Sequence, residues 1–250
     1  MKSKKLKKWT TLLTCATALT VMTACSQSSS QSTGTTSSTT SKTSAVTATT
    51  SKKTNKNNSN YFTSKDSDTS YNESSATKIK LSGSSADVSG DGAALSGSTV
   101  TISKAGTYVI SGKSDGVQIK VDAGDSDDVH IVLDGVTMTN TNAAINATKT
   151  GHVYLTLKDG TTNTLSDSSS NSDEDADAVI FSKGDLTING SGTLNIDAKK
   201  NNGIKANDSL HMTGGTYKIS SVGDAFNVND ELNITGTTMT IEAEEDAVKV

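Results

Sequence analysis

The C-terminal third of this 250-residue chain repeats a phrase in which an acidic or amide residue precedes a small and then an apolar residue. The phrase begins at Asp177, Asn202, Asp224 and Asp246, at spacings of 25, 22 and 22 residues. The apolar positions that keep a similar step are Leu186, Leu210, Leu232, Ile196, Ile219 and Ile241. A period near 22 that holds short strands and Gly, Asn or Asp turns is typical of one coil of a β-solenoid. Equivalent residues of successive coils then lie about 4.8 Å apart.

Upstream of these repeats, short apolar and polar runs alternate without helical periodicity. Val129–Leu133 is followed 24 residues later by the similar run Val153–Leu157. We therefore predict an all-β fold with a solenoid over residues 117–250, covered at its open end by a β cap over residues 77–116. The insertion within residues 165–177 should loop out of the stack. The period stops in mid-coil at residue 250, so either the natural chain continues or the last coil is frayed.

The first 25 residues have the features of a bacterial export signal, with five lysines followed by an apolar stretch from Trp9 to Ala24. The ending Met22-Thr23-Ala24-Cys25 resembles a lipobox, in which the cysteine is lipidated and becomes the mature N-terminus. An ordinary secretory signal cut near Ala24 is the alternative. Residues 26–76 are nearly all polar and predict a disordered tether, since they cannot recover their ordering entropy by burial. We expect a lipid-anchored protein on the extracellular face of the bacterial cell membrane or at the cell surface.

Charge is distributed unevenly along the chain. All 27 acidic residues lie at or after Asp66, whereas many of the lysines precede it. The C-terminal region is therefore far more acidic than the net charge of −4 suggests. Such a body argues against nucleic acid as a partner and against any membrane contact beyond the lipid anchor. It favours cations, or partners that are reached through cations.

The repeated acids predict a metal site. Asp224 and Asp246 would lie about 5 Å apart and repel each other unless a cation separates them. Calcium accepts carboxylate, amide and carbonyl oxygens in irregular geometry, and the acids of residues 173–175 could complete a site beside Asp177. The predicted Ca²⁺ ligands are Asp173, Asp175, Asp177, Asn202, Asp224 and Asp246. The alternative is that each acid only caps its own turn.

Other constellations are weaker. Lys205 and Lys249 occupy equivalent positions two coils apart and are candidates to bind a carbohydrate anion, although a solvated face is the alternative. His130, His152 and His211 lie in strand-like runs and lack the spacing of a zinc site. No residue is assigned a catalytic role.

Several long phrases resemble a known family. The run Asp173–Leu194, followed by Asn201–Lys205, is similar to the carbohydrate-binding β-helix domain of secreted and cell-surface bacterial proteins, as are Gly106–Gly112 and Leu133–Val136. The similarity spans roughly residues 76–250. The resemblance implies a right-handed parallel β-helix shaped like pectate lyases, bound calcium, and binding of acidic or plant-type, cellulose-like polysaccharide without cleavage.

Three functions remain open. The first is a non-catalytic carbohydrate-binding lipoprotein that reaches uronate carboxylates through calcium, since the few aromatic residues make ring stacking a poor mechanism. The second is a calcium-dependent polysaccharide lyase, which would need Lys205 or Lys249 as its base because the chain contains no arginine. The third is a structural adhesin or spacer without sugar specificity.

Overall fold

The computed structural model describes residues 61–250 together with the backbone of residues 48 and 49. This part of the chain consists of strands and one short 3-10 helix, Lys65–Ser67, which confirms the predicted all-β class. No helix within it has the length and apolar character needed to span a membrane. The predicted signal peptide with Cys25, and most of the predicted tether before residue 61, lie outside the described residues.

Twenty-one strands are present in the described residues, in two sheets. In chain order they are β1 (Ala48–Thr49), β2 (Thr77–Gly83), β3 (Ser85–Ser89), β4 (Ala93–Ser96), β5 (Thr99–Ile102), β6 (Gly106–Asp115), β7 (Gln118–Asp122), β8 (Asp128–Thr139), β9 (Ile145–Lys149), β10 (His152–Leu157), β11 (Thr162–Ser166), β12 (Ala178–Ser182), β13 (Asp185–Gly190), β14 (Thr193–Ala198), β15 (Asn202–Ala206), β16 (Leu210–Thr213), β17 (Thr216–Ser221), β18 (Phe226–Val228), β19 (Leu232–Thr235), β20 (Thr238–Ala243) and β21 (Val248–Lys249).

The larger, 13-stranded sheet is curled around the long strand β8. The first half of β8 pairs in parallel with β10, and its second half pairs in parallel with β11. One arm of the sheet continues through β13, β16 and β19, and we call it arm A. The other continues through β14, β17 and β20, and we call it arm B. β1 pairs with β20 in the antiparallel sense.

The smaller sheet has eight strands, in the order β21-β18-β15-β12-β9-β7-β5-β4. From β10 onward the chain visits arm A, arm B and the eight-stranded sheet in turn, four times over. The register confirms the sequence period, since Leu186 pairs with Leu210 and Leu210 with Leu232. The predicted match of the Val129 and Val153 runs is likewise confirmed.

Glycine occupies the turn between arm A and arm B in successive repeats. Gly135 and Gly160, for example, have φ values of 72° and 70°. Residues with a Cβ rarely adopt this left-handed region, so glycine lets each repeat turn the same corner. Gly112 also leaves no room for a Cβ, which would lie 2.5 Å from the carbonyl oxygen of Leu81.

One apolar core fills the space between the sheets. Alternate residues of each strand point inward, as β5 shows with its buried Val100 and Ile102. The core takes side chains from arm A, arm B and the eight-stranded sheet, represented by Ile188, Ile196 and Ile204. Because all three surfaces share this core, the outward-facing side chains are left to form polar rows along the stack.

The structure corrects two predicted boundaries. The predicted cap is wrong beyond its antiparallel pairs β2–β3 and β4–β5, because β6 already pairs in parallel with β8 along its whole length. The predicted tether is wrong for residues 61–76, which lie against the outer side of arm A and bury Asp66. We call residues 61–76 the strap. The insertion forms a loop between β11 and β12, as predicted, with Asp167 and Asn171 buried at its base.

Candidate functional site

The repeated acids and amides form one continuous hydrogen-bonded column beside the eight-stranded sheet. The backbone N–H of Asn202 donates to the carbonyl oxygen of Asp177, at 3.1 Å. One repeat on, the N–H of Asp224 donates to Oδ1 of Asn202 at 2.9 Å, and the N–H of Asp246 donates to Oδ1 of Asp224 at 3.2 Å. We call this set the Asx column. The structure therefore places Asp224 and Asp246 on the same edge of the stack.

Asp177 and Asp224 are the two carboxylates of the column that have another repeat after them. Each of them pairs with a lysine of that next repeat. Nζ of Lys205 lies 2.6 Å from Oδ1 of Asp177, and Nζ of Lys249 lies 3.5 Å from Oδ2 of Asp224. The position between the two lysines is Asn227, where the preceding column residue is the neutral Asn202. The column thus reads acid, amide, acid, and the row one repeat ahead reads lysine, asparagine, lysine.

The predicted metal ligands in the insertion lie apart from this hydrogen-bonded chain. Oδ1 of Asp173 accepts the backbone N–H groups of Asp175 and Ala176, at 3.1 and 3.0 Å, and so caps its own loop. The loop borders a shallow depression of about 360 Å³. Its lining residues are Asn171, Ser172, Asp173, Glu174, Asp177, Lys200 and Asn201.

The Asx column does not offer calcium a fitting set of ligands. Oδ1 of Asp224 faces a backbone N–H, and its Oδ2 accepts the amide of Asn227 at 2.7 Å. Oδ1 of Asp177 faces an ammonium group. Within residues 61–250 no group of three or more His, Cys, Asp or Glu side chains is arranged to hold a metal ion. The sequence showed the equivalent positions of Lys205 and Lys249 but not that their ammonium groups lie beside Asp177 and Asp224 and supply the compensating charge.

A second polar row runs along the outer side of the eight-stranded sheet. Its members pair across neighbouring strands, and their side chains alternate with the residues that face the core. The row consists of Lys120, Asn146, Phe181, Lys205, Asn227 and Lys249, which are polar except for Phe181. Asn146 and Phe181 are buried, at 7% and 5% exposure, whereas the exposed fraction of the side chain is 34% at Lys120, 19% at Lys205 and 59% at Lys249. We call it the outer row.

The strap brings a further buried carboxylate to arm A. Asp66 is 2% exposed, and its Oδ2 accepts the backbone N–H and the hydroxyl of Thr63, at 2.7 and 2.9 Å. Its Oδ1 accepts the hydroxyl of Thr187 at 2.7 Å. Nδ1 of His211 lies 3.3 Å from the same oxygen, but it is not aligned for a hydrogen bond. Burial raises the pKa of Asp66, but the hydrogen bonds from Thr187 and Thr63 outweigh it and leave the pKa below its usual value.

Rings and hydroxyls surround this carboxylate. His152 stacks on Tyr154 with the ring centroids 4.0 Å apart, and its Nε2 lies 2.9 Å from Oγ1 of Thr187. The ammonium of Lys65 lies 4.5 Å above the Tyr154 ring. Burial lowers the pKa of His152. The sequence analysis missed this cluster because Asp66 belongs to no repeat; the aromatic residues of the strap, such as Phe62 beside His211, were the available signal.

The profile of a family described as carbohydrate-binding domain-containing protein matches residues 96–250. The chain belongs to this family. A carbohydrate-binding domain-containing protein from Acetivibrio thermocellus is 37% identical over 137 residues, which are 52% of this chain and 48% of that relative. The chain therefore spans about half the length of this curated relative.

A solved structure extends the comparison to three dimensions. A polysaccharide lyase-like protein from C. thermocellum, solved as a gadolinium derivative, superposes with a TM-score of 0.59 at 25% identity. The superposition covers 70% of this chain and 94% of that one.

Proposed function

We propose that this protein is a surface-anchored, non-catalytic carbohydrate-binding lipoprotein whose partner is an acidic or plant-type polysaccharide. The observation that carries the proposal is the outer row, in a chain of this family. Its groups recur at the spacing of paired strands, about 4.8 Å, which is close to the length of one sugar residue. Lys205, Asn227 and Lys249 are the accessible groups at the C-terminal end of the row, and their ammonium and amide groups match the hydroxyl and carboxylate oxygens of a linear glycan.

We infer that the stack winds as a right-handed parallel β-helix with an N-terminal cap. The support is the order in which the chain visits arm A, arm B and the eight-stranded sheet, always with parallel pairing to the previous repeat. Crossovers between parallel strands of one sheet are right-handed in nearly all proteins. A rod of this shape gives the outer row its length.

Lipid anchoring at Cys25 is the part of the proposal that places the protein at the surface. The lipobox-like ending Met22-Thr23-Ala24-Cys25 supports it. A Cys25→Ala variant is expected to be released into the medium, whereas the unchanged chain sediments with membranes. Mass spectrometry of the membrane-bound N-terminus checks the modification, and an unmodified peptide that starts before residue 25 would contradict it.

Calcium is retained as a proposal for the acidic loop only. Asp173, Glu174 and Asp177 border the same depression, and oxygen-rich loops of this kind suit Ca²⁺. We expect added calcium to raise the melting temperature of the natural protein and of Asp224→Asn, but not of Asp173→Asn. An equal response in all three proteins, or none in any, would exclude the loop as the site.

The binding proposal is tested by retention on insoluble and acidic polysaccharides, with and without chelator. We expect saturable binding that Lys249→Gln weakens about tenfold, the effect of losing roughly 1.4 kcal/mol of interaction with a glycan oxygen. Lys218→Gln is the matched control, because Lys218 is an exposed lysine on arm B, away from the outer row. Binding that does not saturate and ignores both substitutions would favour an adhesin or spacer.

The lyase hypothesis is kept as a second candidate because of one observation, the superposition on a polysaccharide lyase-like protein. Against it, the lysine proposed as a base points at a carboxylate 2.6 Å away, since Lys205 pairs with Asp177. We expect no unsaturated product when pectate is incubated with the protein and calcium and followed by ultraviolet absorbance. Sustained product formation would replace the binding proposal.

A further inference from the structure

Hydrogen-bond donors lie on the outer side of arm A, and oxygen atoms of the strap accept hydrogen bonds from them. The hydroxyl of Thr187 donates to the Asp66 carboxylate at 2.7 Å, and the hydroxyl of Thr213 donates to the Asp66 carbonyl oxygen. The amide of Asn189 donates to the carbonyl oxygens of Asp66 and Asp68, at 3.3 and 3.1 Å. Thr187 and Asn189 are alternate residues of β13, and Thr213 is the residue of the neighbouring strand β16 that pairs with Asn189.

A carboxylate with flanking neutral oxygens is also what an acidic sugar carries. The donors lie beside an open cavity of about 260 Å³. Its walls are Thr63, Asp66, His152, Tyr154, Asp185, Ser209, His211 and Glu231. The walls thus combine an aromatic ring with polar groups, the composition of many sugar sites.

We propose that this face of arm A is a recognition site for the carboxylate of a uronic acid residue, and that Asp66 of the strap occupies it as an internal stand-in. The inference rests on the proposed function and names its ligand more closely. A bound uronate replaces the Asp66 carboxylate with another carboxylate, so the charge facing Thr187 and His211 is unchanged. The strap must move away from the donors for the exchange to occur.

The rim of the cavity narrows the class of glycan. Asp185 and Glu231 line the opening, and Asp128 lies on the same edge of arm A, where it pairs with Lys65 of the strap. These carboxylates repel a second negative charge placed beside the first. The site therefore suits a neutral glycan that bears isolated uronate branches rather than a continuous polyuronate.

Removing the stand-in tests the proposal. The full-length protein with Asp66→Ala should bind glucuronoxylan about tenfold more tightly than the natural protein, because the competing internal carboxylate no longer holds the binding-competent state to a small fraction. Carboxyl-reduced glucuronoxylan should show no gain. Asp68→Ala is the matched control, since its carboxylate caps Ser70 in the exposed part of the strap and should leave affinity unchanged.

A second variant and a second readout guard against simple unfolding. Thr187→Val added to Asp66→Ala should abolish the gain, and free glucuronic acid should raise the melting temperature of Asp66→Ala more than that of the natural protein. If Asp66→Ala does not fold, Asp66→Asn replaces it in both measurements. Folded variants with unchanged or weaker glucuronoxylan binding would overturn the inference. If Lys249→Gln still weakened binding in that case, the proposed function would stand without the inference about Asp66.

Discussion

Asp224 and Asp66 are both buried carboxylates, at 1% and 2% exposure, but their partners come from different parts of the chain. Asp224 is satisfied by Asp246, Asn227 and Lys249, all within about one repeat of it. Asp66 is satisfied by its neighbour Thr63 and by arm A residues more than 120 positions away. A repeated charge has a repeated partner in this fold, whereas a charge from outside the repeats needs a site that occurs once.

In the comparison of Asp66 with Asp224, the largest effect on stability is expected from substitution of Asp66. Asp66→Ala should lower the free energy of unfolding by about 3 kcal/mol, because the buried hydroxyl of Thr187 and the backbone N–H of Thr63 lose their acceptor. Urea denaturation followed by circular dichroism measures it. Asp68→Ala, in the exposed part of the strap, should leave the free energy of unfolding almost unchanged. Equal losses in both variants would show that Asp66 has no special weight.

A smaller effect on stability is expected in the Asx column, where two substitutions can replace one acid–lysine pair. Asp177→Asn and Lys205→Asn together replace one acid–lysine pair by two asparagines, the residues that stand at the equivalent positions Asn202 and Asn227 of the following repeats. The double variant should lose less stability than the sum of the losses in the two single variants. The difference, which is the coupling energy, should be about 1 kcal/mol for this partly buried pair. A double-mutant cycle by chemical denaturation gives the value. Zero coupling would mean that the lysines do not compensate the column.

The smallest effect is expected from pH on the arm A face. Burial lowers the pKa of His152 and also that of His130. Below the ordinary histidine pKa of about 6.5 the unfolded chain takes up protons that the folded chain resists, so stability should decrease as the pH falls from there. Melting temperatures between pH 7.5 and 5 measure the slope. His152→Gln should flatten it, and Lys205→Asn, remote from that face, should leave it unchanged.

The sequence period predicted the register well because strand pairing transmits it directly. Leu186 and Leu210 had to pair once their repeats stacked, and Asp177, Asn202 and Asp224 had to follow them to one edge. The lysines are equally periodic, but each one lies in the repeat after its acid, as Lys205 does 28 residues after Asp177, so only the pairing geometry shows the contact. The strap carries no period at all. Its position depends on donors of arm A that a polar composition does not reveal.

The strap runs along the stack from β19, where the amide of Asn233 reaches the carbonyl oxygen of Tyr61 at 3.5 Å, to β8, where Tyr71 meets His130 edge to face. Each repeat of the stack otherwise touches only its neighbours. Tension applied to the chain before Tyr61 therefore acts along the row of strap contacts and stretches them together, as in a shear geometry. The strap in this way shares mechanical force among the five strands that it contacts, β8, β10, β13, β16 and β19, before any one of them is pulled out.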